Sequence, residues 1–273
     1  MKRHGRTLVV NLALAVAAIL TAAPLLWMVS ASFMHSGEAT TLPFHWLPPH
    51  PTLEHYRVLF ARLNFARAFG NSLLLASVVT FVSLLANSMA GYAFAKLRFR
   101  GRERLFGILI ATLIVPPQVT VLPLFLEIRG LHLVDTYMGV IVAGIATVFG
   151  IFLVRQFALG IPDELLDAAR IDGASELRIY WTIILPLLRP ILLTLGIFTF
   201  LAAWNDFMWP LIVLTDQSKY TLTVAIANLS GEHVQDTELM MAGAVITVLP
   251  ALILFLSLQR YYVRGILMGG VKQ

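Results

Sequence analysis

Six long apolar runs constrain the fold of this chain more than any other feature. They lie at about 8–30, 69–95, 105–126, 137–154, 187–209 and 239–259. Each approaches or exceeds the roughly 20 residues that a helix needs to cross a hydrocarbon layer. Lipid offers no partner to a backbone N–H or C=O, so such runs are expected to be helices and not open strands. Composition points the same way. Of 273 residues 58% are hydrophobic and only 13% charged, about half the charged share of a soluble domain. So few charges cannot clothe a water-facing surface. The expectation is an all-α integral membrane protein with six transmembrane helices. It is read as a single domain over 1–273, because no polar linker divides the chain and no internal repeat is visible.

Lysine and arginine orient the runs. With the N-terminus inside, fifteen basic residues face the cytoplasm: Lys2, Arg3, Arg6, five in "KLRFRGRER" (96–104), Arg155, Arg170, Arg178, Arg189, Arg260, Arg264 and Lys272. Five face outward: Arg57, Arg62, Arg67, Arg129 and Lys219. The positive-inside rule then places both termini in the cytoplasm and the 31–67 loop outside. The net charge of +5 is thereby assigned to topology, and no nucleic-acid partner is expected. "KRHGR" before the first run resembles the start of a signal peptide. The run is longer than a usual signal core and five more follow, so an uncleaved first span is expected. Trp27, Trp46, Trp204 and Trp209 fall near outer ends, where amphipathic rings favour the headgroup zone. In the outer loop, "LPFHWLPPHP" predicts extended or turning chain. A short surface helix is expected from Thr52.

Catalytic signatures are missing. There is no cysteine, no G-x-x-x-x-G-K-[ST] phosphate loop, no dinucleotide turn, no H-E-x-x-H and no G-x-S-x-G. His45, His50 and His55 read as exposed loop histidines and not as a metal site. No enzyme activity, metal or cofactor is expected in this chain. Asp206, in "AAWNDFMWP", is the only ionisable residue near a span interior. It is either functional or a cap before Pro210. A proton- or ion-driven carrier would place several ionisable groups at the midplane. Their scarcity leaves the chain without an energy source of its own, and a self-sufficient secondary carrier stands as the alternative reading.

Against this background, "IPDELLDAARIDGASELRIYWTIILP" (161–186) is dense in charge. Five acids and two arginines fall within 162–178, a net of −3. Pro162 suits the first helical position, with Asp163 and Glu164 in a first turn that favours negative charge. Leu165, Ala168 or Ala169, and Asp172 share a helical face. Gly173 suits the position after a helix end, where φ is often positive. A second helix is expected from about Ser175, with Leu177, Tyr180, Trp181 and Ile184 as its apolar side. Pro186 should bend the chain into the fifth span. Anionic lipid attracts basic surface helices, not acidic ones. A helix–turn–helix of this charge, with small Ala168, Ala169 and Ala174, fits docking into a groove on a cytoplasmic protein.

The stretch "DAARIDGASELRIYWTIILP" resembles the EAA loop, E-A-A-x-x-x-G-x(9)-I-x-L-P, of permease subunits in bacterial ATP-binding-cassette importers. Ala168, Ala169, Gly173, Ile183, Leu185 and Pro186 match, and Asp167 stands where that family usually has glutamate. "LIVPPQVTVLPLF", "IFTFLAAWNDFMWPLIVL" and "KYTLTVAIANLSG" are similar to the maltose-type, MalG-like permeases over nearly the whole chain. The resemblance implies a MetI-like permease fold in a bacterial inner membrane, with a cytoplasmic coupling loop between spans four and five. It implies Asp167, Ala168, Ala169, Asp172, Gly173, Ala174, Leu185 and Pro186 as residues that couple to an ATPase. The implied partners are a second permease subunit, an ATPase dimer that holds ATP and magnesium, an extracytoplasmic sugar-binding protein, membrane lipid and a sugar. Asn205, Asp206 and Tyr220 are candidates for the outer gate or substrate pathway.

Overall fold

The computed structural model describes residues 2–43, 45–62, 64–232 and 236–270, and every regular element among them is helical. In chain order the helices are α1 (Lys2–Ala31), α2 (Glu54–Arg62), α3 (Phe65–Lys96), α4 (Arg102–Ala111), α5 (Pro117–Gly130), α6 (Tyr137–Ala143) and α7 (Val148–Leu159). They continue as α8 (Asp163–Ile171), α9 (Glu176–Ile179), α10 (Leu185–Leu187), α11 (Arg189–Asn205), α12 (Met208–Val213), α13 (Leu222–Glu232) and α14 (Thr237–Gly270). Three segments, Val10–Ala31, Phe65–Lys96 and Thr237–Ser257, are unbroken helices long and apolar enough to cross a membrane. The other three apolar runs are broken helices. The chain forms two compact units, Met1–Ala66 with Leu222–Pro250, and Arg67–Thr221 with Ala251–Gln273.

In the first unit, α1 exposes Leu12, Leu14, Ile19, Leu20, Leu25 and Leu26, so it needs lipid or a partner around it. Its end packs as Ala31, Met34 and Ala39 against Trp27 and Met241. The helix expected from Thr52 begins at Glu54, whose N–H donates to the Thr52 hydroxyl at 3.1 Å. It is not a purely surface element, since His55 and Leu59 are buried. The exposed-loop reading therefore fails for His55, whose Nε2 lies 2.9 Å from the Met34 carbonyl. Asp236 caps α14 by accepting from the Leu239 N–H at 2.9 Å and also accepts from Ser36 Oγ at 2.8 Å. The fully buried Glu238 accepts from the Ala39 N–H at 2.6 Å. Sequence reading missed this buried acid, because one residue past the edge of an apolar run looks like an ordinary polar flank.

In the second unit, each broken helix has a chemical cause. The expected third span is interrupted between α4 and α5, which meet at 109°. Pro116 drives Val115 into the extended region, and Pro117 opens α5, where its missing N–H is harmless. The expected fourth span divides into α6 and α7, inclined by 47°. Here the Thr147 N–H would lose its helical partner, and the fully buried Asn87 of α3 supplies another. Its Oδ1 accepts from the Thr147 N–H at 2.9 Å, and its Nδ2 donates to Ser83 Oγ at 2.9 Å and Thr147 Oγ1 at 3.2 Å. A side chain on Gly150 would collide with Asn87, so only glycine lets α3 approach this closely.

The third bend, 78°, separates α10 from α11. It falls at Leu188 and not at the expected Pro186. Pro190 explains the shift, because it cannot donate to the carbonyl four residues back. Pro186 instead follows a wider π turn over Tyr180–Ile184. Trp204 and Trp209 also differ from expectation. Both are buried in protein, and the Trp209 indole donates to the Gly139 carbonyl at 3.2 Å.

Candidate functional site

The stretch at 163–187 forms two helices joined by a closed turn. Pro162 occupies the capping position before α8, one residue earlier than the first helical position. Asp163 and Glu164 sit in the first turn and Arg170 in the last, each favourable against the helix dipole. Asp172 ends α8, and Gly173 follows at φ 82°. The Gly173 N–H donates to Arg170 O at 3.0 Å and the Ala174 N–H to Ala169 O at 2.9 Å. This pair of reversed bonds satisfies carbonyls that the helix end leaves open. Ser175 caps α9, its hydroxyl accepting from the Arg178 N–H at 3.3 Å.

Arg170 fixes the angle between the two helices. It donates to Asp167 at 2.8 Å on its own helix and to Glu176 at 2.8 Å across the turn. Tyr92 of α3 donates to the other side of Glu176 at 2.8 Å. Lys96, at the end of α3, donates to Ile161 O and Asp163 Oδ1, both at 2.6 Å. These contacts hold the Asp163 carboxyl below the usual carboxylate range through Lys96, and that of Glu176 below it through Arg170. Asp167 therefore has its partner inside the element.

Apolar packing sorts the nominated residues. Leu166, Ile179, Tyr180, Ile184 and Leu188 are buried with Tyr92, Val154 and Ala158. Ala169, Ala174 and Leu185 pack against that cluster, whereas Asp167, Ala168, Asp172, Gly173 and Pro186 are exposed. The expected faces need correction. Leu166, not Leu165, is the core residue of α8, and Leu177 and Trp181 are exposed, with Ile179 buried beside Tyr180 and Ile184. Ile171 is 86% exposed at the turn. The element thus presents Leu165, Ile171, Leu177 and Trp181 outward among charged residues. Tyr92, Lys96 and Ser88, which bonds the Tyr180 hydroxyl at 2.7 Å, lie on α3. They were missed because they are remote in sequence from the motif they support.

The candidate pathway residues do not form one cluster. Asp206 lines a mostly apolar cavity of about 530 Å3 together with Thr120, Thr147, Thr199 and Trp209. Its Oδ1 also accepts from the Trp209 N–H at 3.4 Å, so it caps the start of α12. Asn205 is exposed and donates back to Leu201 O at 2.8 Å in its own helix. Tyr220 is half-buried, its hydroxyl 3.4 Å from Thr215 O and its carbonyl accepting from Asn71 at 3.0 Å. Nearby, Asp135 receives the Thr215 and Asp216 N–H groups at 3.0 Å and pairs with Lys219 at 2.6 Å.

Residues 84–268 match the family model described as binding-protein-dependent transport system inner membrane component. The chain is 40% identical to the arabinooligosaccharides transport system permease protein AraQ of Halalkalibacterium halodurans, over 91% of this chain and 90% of that one. It is 33% identical to the lactose transport system permease protein LacG of Rhizobium radiobacter, over 95% and 94%. A chain in the crystal structure of a bacterial ABC transporter that imports the acidic polysaccharide alginate superposes with a TM-score of 0.85, at 26% identity, over 96% of this chain and 98% of that one.

Proposed function

We propose, from the premise that this chain belongs to the family of binding-protein-dependent transport system inner membrane components, that it imports a sugar or oligosaccharide as one permease subunit of an ATP-binding-cassette transporter. The cargo class is inferred from the relatives' names, which are those of arabinooligosaccharide and lactose transport proteins. The full assembly adds a second permease, a dimer of ATPase subunits that bind ATP and magnesium, and an extracytoplasmic sugar-binding protein. The chain itself acts as one permease domain in a bacterial inner membrane. Its six apolar runs, three of them broken, each cross once, and both termini lie in the cytoplasm. The fifteen-to-five bias of basic residues supports that orientation.

The observation that carries this reading is the helix–turn–helix at 163–187. It combines a rigid, internally paired frame with bare apolar side chains around its turn. Leaving Ile171 at 86% exposure is unfavourable in water and becomes favourable inside a partner's groove. When ATP draws the ATPase subunits together, the groove moves and carries the element with it. Arg170 ties the two helices together through Asp167 and Glu176, and the Tyr92–Glu176 bond passes the displacement to α3. Residues Asp167, Ala168, Ala169, Asp172, Gly173, Ala174, Leu185 and Pro186 act here by shaping or presenting this surface. Asp206, Asn205 and Tyr220 act on the opposite side, at the outer end of the pathway.

Ile171→Glu and Asp167→Lys test the docking. Each places a wrong charge on the presented surface without touching an apolar span. Both variants should insert normally, lose the ATPase on purification and lose ATP-driven uptake in vesicles. Wild-type retention of the ATPase in both would overturn the docking role.

A further inference from the structure

We infer that the α3–α4 connection is a binding site for an anionic phospholipid headgroup of the cytoplasmic leaflet. The inference rests on the orientation proposed above. A cavity of about 1070 Å3 is lined by Lys96, Arg98, Arg100, Arg102 and Arg104, with only Glu103 and Asp163 as acids, an excess of three positive charges. The ion pairs within it are unevenly distributed. Asp163 is taken by Lys96 at 2.6 Å, and Glu103 by Arg102 at 2.9 Å and Arg155 at 3.2 Å. Arg98, Arg100 and Arg104 are exposed and carry no ion pair among the described residues. Both local carboxylates therefore already have a closer cation, and the guanidinium groups of Arg100, Arg104 and Arg98, the last acting on Asp163 only at longer range, remain for an incoming anion. Each presents a planar fork that matches phosphate oxygens.

The surroundings select a lipid over a soluble anion. Lys96 ends the long apolar helix α3 and Arg102 begins the apolar helix α4, so the connection sits where two helices leave the hydrocarbon, at headgroup depth. Phe99, between Arg98 and Arg100 in the cavity lining, is 42% exposed, and Leu105, which follows Arg104, is 52% exposed. Bare apolar groups beside unpaired cations suit the phosphate and glycerol end of a lipid, where charge and hydrocarbon meet. A soluble phosphate has no use for them. Gly101 at φ 83° turns the chain sharply enough to place Arg100 and Arg102 on either side of the bend. Lys96 links the same cavity to the start of α8 through Asp163.

The test uses the assembled importer, extracted and purified from vesicles of phosphatidylcholine alone or mixed with phosphatidylglycerol, with retained lipid counted by native mass spectrometry. Wild-type importer should retain phosphatidylglycerol in preference to phosphatidylcholine. The variant with Arg98→Gln, Arg100→Gln and Arg104→Gln should lose that preference, at roughly five-fold in affinity per arginine and about a hundred-fold for the three. The variant with lysine at the same three positions keeps the orienting charge and should retain an intermediate preference. Soluble glycerol phosphate should not displace the lipid. Equal retention of phosphatidylglycerol by wild-type and the glutamine variant would overturn the site. Displacement by soluble glycerol phosphate would show a simple anion site and overturn the lipid assignment. Cysteine labelling of position 46, away from the site, reads orientation separately, so an inverted topology is distinguished from an absent lipid site.

Discussion

At the residue scale, Gly173 and Asp206 make opposite kinds of demand. A side chain on Gly173 would meet nothing within 4 Å, yet its φ of 82° is unfavourable for L residues. The cost of substitution there is conformational and not steric, about 1–2 kcal/mol for an ordinary residue and more for a β-branched one. Gly173→Val should therefore abolish ATP-driven uptake, while Gly173→Asn, which tolerates the left-handed region, should keep a substantial part of it. Equal loss in both would mean that the turn needs space and not backbone freedom. Asp206 serves α12 as an acceptor, its Oδ1 receiving the Trp209 N–H. Asn offers the same acceptor, so Asp206→Asn should retain uptake, whereas Asp206→Ala should lower stability by about 1 kcal/mol and reduce uptake. Failure of the Asn variant in vesicle transport would assign the work to the charge. Sequence alone left these two roles of Asp206 open, since a carboxylate before a proline looks the same in either. The need for glycine at 173 was legible, because helix-end chemistry is local.

At the scale of elements, the helix–turn–helix was readable in outline and its facing was not. Capping by Ser175, the turn at Gly173 and the dipole-matched charges are set by neighbours in sequence. Which of Leu165 and Leu166 turns inward depends on Tyr92, Val154 and Ala158, which lie far away in the chain. The broken third and fourth runs were hidden for a similar reason. Hydropathy averages over a window, and each broken pair taken together still passes as a span across Pro116–Pro117 or Gly144–Thr147. The Tyr92–Glu176 bond gives a test of transmission. Tyr92→Phe keeps the ring in its buried cluster and removes one hydrogen bond, for about 1 kcal/mol of stability. The importer should still bind its ATPase but convert ATP hydrolysis to uptake less efficiently, measured as sugar moved per ATP consumed. An unchanged ratio would place transmission elsewhere. Acid should affect the element late. Lys96 lowers the pKa of Asp163, so their pairing is fully present above the ordinary carboxylate value of about 3.9. It is lost only as pH falls below that. ATPase retention should accordingly be flat from neutral pH down to about 5.

At the scale of the whole molecule, orientation is checked by labelling single cysteines at positions 46 and 100 in a chain that has none of its own. An impermeant thiol reagent should reach 46 and miss 100 in intact cells. The opposite pattern would invert the proposed topology and the sites argued from it. Helical class and membrane residence were legible throughout, because six apolar runs admit little else. The contrast between unbroken and broken helices has a consequence for how such a protein is made. The apolar segment of α1 leaves Leu12, Leu14, Ile19, Leu20, Leu25 and Leu26 exposed, so it can settle in lipid by itself as it leaves the insertion machinery. The α6–α7 pair cannot, since its open backbone N–H at Thr147 is answered by Asn87 from α3. Synthesis runs from N- to C-terminus, and α3 is already in the bilayer when residue 147 arrives. The order of the sequence thus doubles as an assembly schedule, in which an earlier, unbroken helix carries the polar group that a later, broken one requires.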